Sequence, residues 1–179
     1  MAGEKVKIGD TIKFGDYDWQ VLDIDENKAL IMTKDIVAKY MYGCVDNRTW
    51  ENCHVRQYLN NEFLSKFSSK DQSRIIENQT RNTSNAEIRN PSKAENYVTD
   101  KIFLINIDEC EKYFGFTRTG RCLDMIGQQW WIRGNDKYYA ALAAPNGMIM
   151  GVSSPDVFRD DGLSYGSGVR PALWLDLLV

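Results

Sequence analysis

Long apolar runs are missing from this sequence, and so is any dense block of one charge. No stretch approaches the roughly 18 to 20 apolar residues needed to cross a bilayer, so membrane insertion is not expected. Met1-Ala2-Gly3-Glu4-Lys5 leads into a polar strand pattern where a signal peptide would have an apolar core, and a soluble chain without a leader is expected. The 22 Lys and Arg against 25 Asp and Glu leave a formal charge of −3, with no cluster of five or more cations. Affinity for nucleic acid rests on such clusters facing phosphates, so no nucleic-acid partner is expected. There is one histidine, His54, no P-loop and no G-x-G-x-x-G, which removes the common phosphate-cradle signatures. Four cysteines, Cys44, Cys53, Cys110 and Cys122, follow no C-x-x-C spacing. They read as reduced thiols packed as small hydrophobes. Cys53 and His54 are adjacent, but a metal needs three or four converging ligands, and neither a metal nor a cofactor is expected.

At 179 residues and 43% hydrophobic, the chain is long enough for one buried core and short for two. A single domain over residues 1–179 follows, without internal repeats. The first third reads as strands, Val6–Asp10, Thr11–Phe14, Trp19–Ile24 and Ala29–Met32, parted by Gly15-Asp16 and Asp25-Glu26-Asn27-Lys28 turn chemistry. With Thr49 as N-cap, the offsets of Trp50, Cys53, Leu59 and Phe63 predict a helix of about three to four turns. A second short helix is predicted from near Ser69, burying Ile75 and Ile76. Asn78 to Tyr97 reads as a polar surface excursion. Lys101–Ile105 reads as a buried strand, followed by a short helix capped by Asp108 and ended by Gly115. Trp130–Arg133, Tyr138–Ala144, Met148–Val152 and Val169–Leu175 read as further strands. Strands, then helices, then strands again is an α+β order in which the first and last strands pair.

Several phrases carry a resemblance when taken in order. They are Phe14-Gly15-Asp16-Tyr17-Asp18-Trp19-Gln20-Val21-Leu22, Thr49-Trp50-Glu51, Val55-Arg56-Gln57-Tyr58-Leu59-Asn60, Asp100-Lys101-Ile102-Phe103-Leu104, Trp131-Ile132-Arg133 and Gly168-Val169-Arg170-Pro171-Ala172-Leu173-Trp174-Leu175. Together they resemble a bacterial and phage family known only as the domain of unknown function numbered 6273. The C-terminal half of that family looks like the C-type-lectin fold of formylglycine-generating enzymes and of the variable proteins of diversity-generating retroelements. The resemblance implies a C-type-lectin-like mixed sheet with two or three short helices, in which Trp131-Ile132-Arg133 and Gly168-Val169-Arg170 frame a binding surface. It also implies a non-enzymatic binding domain with a variable-type loop surface, taking a protein or glycan ligand and open to homo-oligomerisation. Two alternatives stand beside it, an enzyme related to the formylglycine-generating fold and a structural assembly subunit. The formylglycine-generating enzymes use paired cysteines near their C-terminus, whereas Cys122 precedes the Trp131 strand here, so no cysteine matches.

The residues themselves point to the same region. Between the framing strands the chain is rich in Tyr, Asn, Asp, Ser and Gly, a vocabulary shared with antibody paratopes and with ordinary turns. The candidate ligand-binding residues are Asn135, Asp136, Tyr138, Tyr139, Asp156, Phe158, Arg159 and Tyr165. Ala144-Pro145-Asn146 lacks the first ligand of the calcium-dependent sugar-binding loop, although Asp136, Asp156, Asp160 and Asp161 supply oxygens. An arginine in an apolar strand persists when carbonyls or carboxylates meet its donors, so Arg133 and Arg170 read as braces. Trp50, Trp131 and Trp174 read as core.

Overall fold

The computed structural model describes residues 5–43, 49–82, 96–134, 139–152 and 166–178, and the side chains of 82 and 96 are not among those described. Its opening strands form the expected meander. Thr11–Phe14 (β1), Tyr17–Asp25 (β2) and Lys28–Thr33 (β3) pair antiparallel through two tight turns, with Phe14 opposite Tyr17 and Asp25 opposite Lys28. Val6–Asp10 is not a strand. The Lys7 N–H donates to the Asp10 carboxylate at 2.8 Å and the Asp10 N–H to the Lys7 carbonyl at 3.1 Å, closing a turn that leaves Ile8 exposed.

Two five-stranded sheets organise the described residues. The first runs β1-β2-β3-β12-β5, with Ala172–Asp176 (β12) inserted between β3 and the two-residue strand Ile75–Ile76 (β5). The second runs β10-β9-β8-β11-β4, from Ile149–Val152 (β10) through Ala140–Ala143 (β9), Trp130–Ile132 (β8) and Ser167–Val169 (β11) to Ala38–Tyr40 (β4). Its β8–β11 pair is parallel and the other pairs are antiparallel, so this sheet is mixed. Asn78–Asn82 (β6) and Asn96–Asp100 (β7) form a separate antiparallel pair within the stretch expected to be an irregular excursion. The first strands and the closing strand do share a sheet, though β12 pairs with β3 while β1 lies at the edge.

The expected strand Val169–Leu175 is two strands in two sheets, broken at Arg170-Pro171. Proline has no N–H to give a ladder. Its carbonyl instead accepts from Thr33 N–H at 3.0 Å, so the chain crosses from one sheet to the other at this point.

The helices are short. A 3₁₀ turn, Trp50–Asn52, precedes His54–Tyr58 (α1), which widens into a π turn over Leu59–Phe63 and tightens again at Leu64–Lys66. Thr49 makes no capping bond, and Cys53 stands at the N-cap of α1. The predicted apolar offsets survive these changes of pitch, because Trp50, Cys53, Val55, Leu59 and Phe63 are all buried. Ser69–Arg74 (α2) is capped by the Ser68 hydroxyl and buries none of its own residues; Ile75 and Ile76 leave it as β5, as their β-branched side chains favour. Lys101–Ile105 is buried but is not a regular strand. Its backbone bonds piecemeal, to the Asn60 carboxamide, to Ala172 through two bonds from Phe103, and to the Arg133 N–H through Ile105. Ile107–Phe114 (α3) is capped by Asn106 in a reciprocal box with Glu109, which places Asp108 inside the first turn, and it ends at Gly115.

The fold is therefore mixed α+β, mostly strands with a few short helices. Its buried apolar residues form one cluster spanning both large sheets, with Trp19, Trp50, Trp130 and Trp131 at 1% exposure or less. No helix among the described residues is long and apolar enough to cross a membrane.

Candidate binding surface

Three buried charges fix the ground on which this surface stands. Arg170 sits where the chain changes sheets; its Nε donates to the Thr33 carbonyl at 3.1 Å, its Nη1 to Asp124 Oδ2, and its guanidinium lies 5.0 Å from the Trp130 ring centre. Arg133 donates from Nη2 to Glu109 Oε2 at 2.8 Å, and the same oxygen accepts the Asn106 N–H at 2.7 Å. Its guanidinium faces Phe103 and Trp50, while among the described residues Nε and Nη1 have no hydrogen-bond partner. Each arginine follows directly on a strand of the second sheet, Arg133 on β8 and Arg170 on β11. The third charge, Asp100, accepts from Arg56 Nε at 2.6 Å, Trp50 Nε1 at 2.8 Å and the Thr80 hydroxyl at 3.0 Å, tying the helical segment to the β6–β7 pair.

At the far edge of the second sheet, β9 turns into β10 through Ala144-Pro145-Asn146-Gly147. The Asn146 carboxamide accepts the Met148 N–H at 3.1 Å, and the Gly147 N–H bonds the Ala144 carbonyl at 2.8 Å. Gly147 has φ 77°, and a Cβ there would fall 2.1 Å from the Cys122 carbonyl oxygen. Only glycine fits both constraints. The close approach exists because Cys122 N–H bonds the Gly147 carbonyl at 2.7 Å, which draws the 121–125 segment against the β9–β10 turn.

Several large apolar side chains on these segments are exposed. Leu123, Met125, Tyr139, Met148 and Met150 are between 41% and 53% exposed. Met125 Cγ lies 3.2 Å from where a Gly147 Cβ would stand, and Tyr139 Cβ lies 3.5 Å from the equivalent position at Gly151 in β10. Behind them β9 is wholly buried, its four residues Ala140–Ala143 packed on both faces. Among the described strands β10 pairs only with β9, and on its other side Arg121 bridges Met148, so its backbone edge is open beyond that bridge. A shallow groove of about 350 Å³ lies at the opposite edge of the sheet, lined by Asp35, Ile36, Lys39, Ile126 and Gln128 among others.

Of the residues expected to bind a ligand, Tyr139 is described and stands in this exposed group. Asn135, Asp136, Tyr138, Asp156, Phe158, Arg159 and Tyr165 lie outside the described residues, as do Asp160 and Asp161. Leu123, Met125, Met148 and Met150 were not anticipated. Their signal was the alternation Leu-x-Met and Met-x-Met in segments otherwise polar or glycine-rich. Gly162-Leu163-Ser164-Tyr165-Gly166 also spells G-x-S-x-G, and 162–165 lie outside the described residues. That pattern marks a nucleophile when a helix follows the serine, whereas Gly166 leads directly into β11. Burial pushes the Cys53 thiol up to about 12, so the Cys53-His54 pair offers no thiolate near neutral pH. Trp50 and Trp131 are core as expected; Trp174 is half-buried under the Lys28 ammonium, 4.8 Å from its ring centre.

The family model described as Domain of unknown function (DUF6273) matches residues 26–177, and the chain belongs to that family. No curated protein and no solved structure matches it.

Proposed function

We propose that this chain is a non-enzymatic binding domain whose partner, a protein, seats on the β9–β10 edge of the second sheet. The observation that carries this reading is the exposed set Leu123, Met125, Tyr139, Met148 and Met150 on and beside the edge strand β10. Scattered exposed apolar residues need no explanation, but several left exposed along and beside one strand edge mark an interaction surface. Methionine adapts its shape to a partner, and tyrosine gives large contact with few rotors. A glycan would call for a flatter aromatic platform with polar groups converging on it, so a protein is the better fit.

The candidate residues Asn135, Asp136, Tyr138, Asp156, Phe158, Arg159 and Tyr165 follow β8 and β10 in the chain and remain candidates for the same partner. One domain over residues 1–179 with a C-type-lectin-like architecture fits these observations. Supporting it are a closing strand in one sheet with the opening strands and a parallel β8–β11 pair that holds most of the two framing motifs. A retroelement-type variable protein of a bacterium or phage is the specific form the family resemblance suggests.

Protein and glycan arrays probed with wild type beside a Tyr139→Ala, Met148→Ser, Met150→Ser variant test the reading. A protein hit lost by the folded variant supports it. Equal binding by the folded variant, or glycan hits alone, would overturn it.

A further inference from the structure

Cys110 lies on the buried side of α3, and the chain doubles back after Gly115 to bring Cys122 against it. The return is a short hairpin. Phe116 pairs with Cys122, Thr117 N–H bonds the Arg121 carbonyl at 2.8 Å, and Leu123 N–H bonds the Gly115 carbonyl at 3.0 Å. Both side chains are fully buried, both are free thiols, and the two thiol groups lie close enough to interact. Neither sulfur serves the binding surface.

We propose that Cys110 and Cys122 form a dithiol–disulfide modification site, oxidised by hydrogen peroxide or a peroxide of similar size. The Cys122 sulfur attacks the peroxide, an S–O bond forms as the O–O bond breaks, and hydroxide leaves and takes up a proton as water. Cys110 then attacks the Cys122 sulfur, an S–S bond forms as the S–O bond breaks, and the second oxygen leaves as water with the Cys110 proton. The pair loses two electrons and two protons, and the peroxide is reduced to two waters.

The surroundings of the two sulfurs differ in the way this order of events requires. The neighbouring Cys110 thiol draws the Cys122 thiol down to about 7 against the opposing effect of burial, and the Asp124 N–H and the Arg170 guanidinium assist. Burial chiefly raises Cys110, so Cys122 is the sulfur that ionises first. Access is the second requirement. Cys122 is a single buried side chain between half-buried Arg121 and exposed Leu123, in a hairpin whose tip is exposed. Opening that hairpin is a local event, whereas Cys53 is held in the core with its thiol donating to the Trp50 carbonyl. The new bond would tie the loop that carries Leu123 and Met125 to α3.

The test is a peptide map of the intact protein after hydrogen peroxide, alkylation under denaturing conditions and trypsin. Cleavage at Lys101, Lys112, Arg121 and Arg133 puts Cys110 in the peptide 102–112 and Cys122 in the peptide 122–133. The expected product is these two peptides joined, lighter by two hydrogens and separated again by dithiothreitol, and Cys53→Ala leaves it unchanged. In Cys110→Ala the same treatment gives a Cys122 sulfenic acid trapped by dimedone. Full alkylation of both cysteines in the folded wild type, overoxidation of Cys122 without a link, or a link through Cys53 each overturns the proposal. The wild-type map decides the matter even where the alanine variant fails to fold.

Discussion

Replacing Arg133 and Arg170 in turn by methionine keeps much of each side chain's length and removes its donors, and the two changes are expected to differ sharply. Arg170→Met leaves the Thr33 carbonyl without its donor and the Asp124 carboxylate, 20% exposed, without its cation. An orphaned buried acceptor costs about 1–3 kcal/mol, and removing one partner of a buried ion pair costs about 3–5 kcal/mol. Partial access of water to Asp124 reduces the second figure, and a net loss of about 3 kcal/mol results. Arg133→Met also breaks an ion pair, but Glu109 is 27% exposed and keeps its bond to the Asn106 N–H. The same change removes Nε and Nη1, two buried donors that have no partner among the described residues. Since each such donor costs about 1–3 kcal/mol while it is present, the net effect falls within about 1 kcal/mol of zero. Urea unfolding followed by tryptophan fluorescence reads both. With a slope of about 2 kcal/mol per molar, the midpoint falls by about 1.5 M for Arg170→Met and by less than about 0.5 M for Arg133→Met. Equal losses, or a larger loss at Arg133, would refute the claim that the unmet donors already weigh against the folded state.

Gly168→Ala places a Cβ 2.3 Å from Ile36 Cδ1 and 2.9 Å from the Gln129 carbonyl, so a loss of about 2 kcal/mol or more is expected in a thermal melt, partly recovered by adding Ile36→Ala. The Asp23 carboxyl is held below its ordinary value, first by the Lys112 ammonium and also by the Tyr113 hydroxyl. Its contribution is therefore full above about pH 3.9, the unfolded value, and is lost as pH falls through the folded value. Because Lys112 is 62% exposed, Asp23→Asn costs at most about 1 kcal/mol at neutral pH. Urea midpoints of variant and wild type converge once the wild-type Asp23 carboxyl is protonated in both the folded and unfolded states, and a gap that persists in acid refutes the assignment.

Legibility in the sequence followed the range of the interactions. The β1–β3 meander and the end of α3 at Gly115 were readable because two-residue turns and a glycine stop act within a few residues. The capping position of α3 was misread by two residues because Asp108 and Asn106 are both good caps, and the reciprocal bond from Glu109 selects Asn106. Ile75-Ile76 and Lys101–Ile105 depend on partners distant in the chain, β12 for the first and Asn60, Ala172 and Arg133 for the second. Composition cannot name such partners. At the surface, Tyr139 was legible as an aromatic in polar company, whereas the methionines read as strand interior until the edge position of β10 was known.

The placement of β12 between β3 and β5 has a consequence for the newly made chain. Arg170 and Thr33, bonded across the sheet change, are 137 residues apart. At the pace of synthesis in cells, on the order of ten seconds separates their emergence from the ribosome. Throughout that interval the Ala29-Leu30-Ile31-Met32 edge of β3 has no neighbour on the side that β12 will fill, and it presents the kind of bare apolar strand that aggregates. The nascent protein therefore passes through a vulnerable stage that the finished one never revisits. A holding chaperone, or crowding by sister chains on one messenger, acts on this protein before it acts on the folded form, and expression yield should respond to translation speed more than to the stability of the native state.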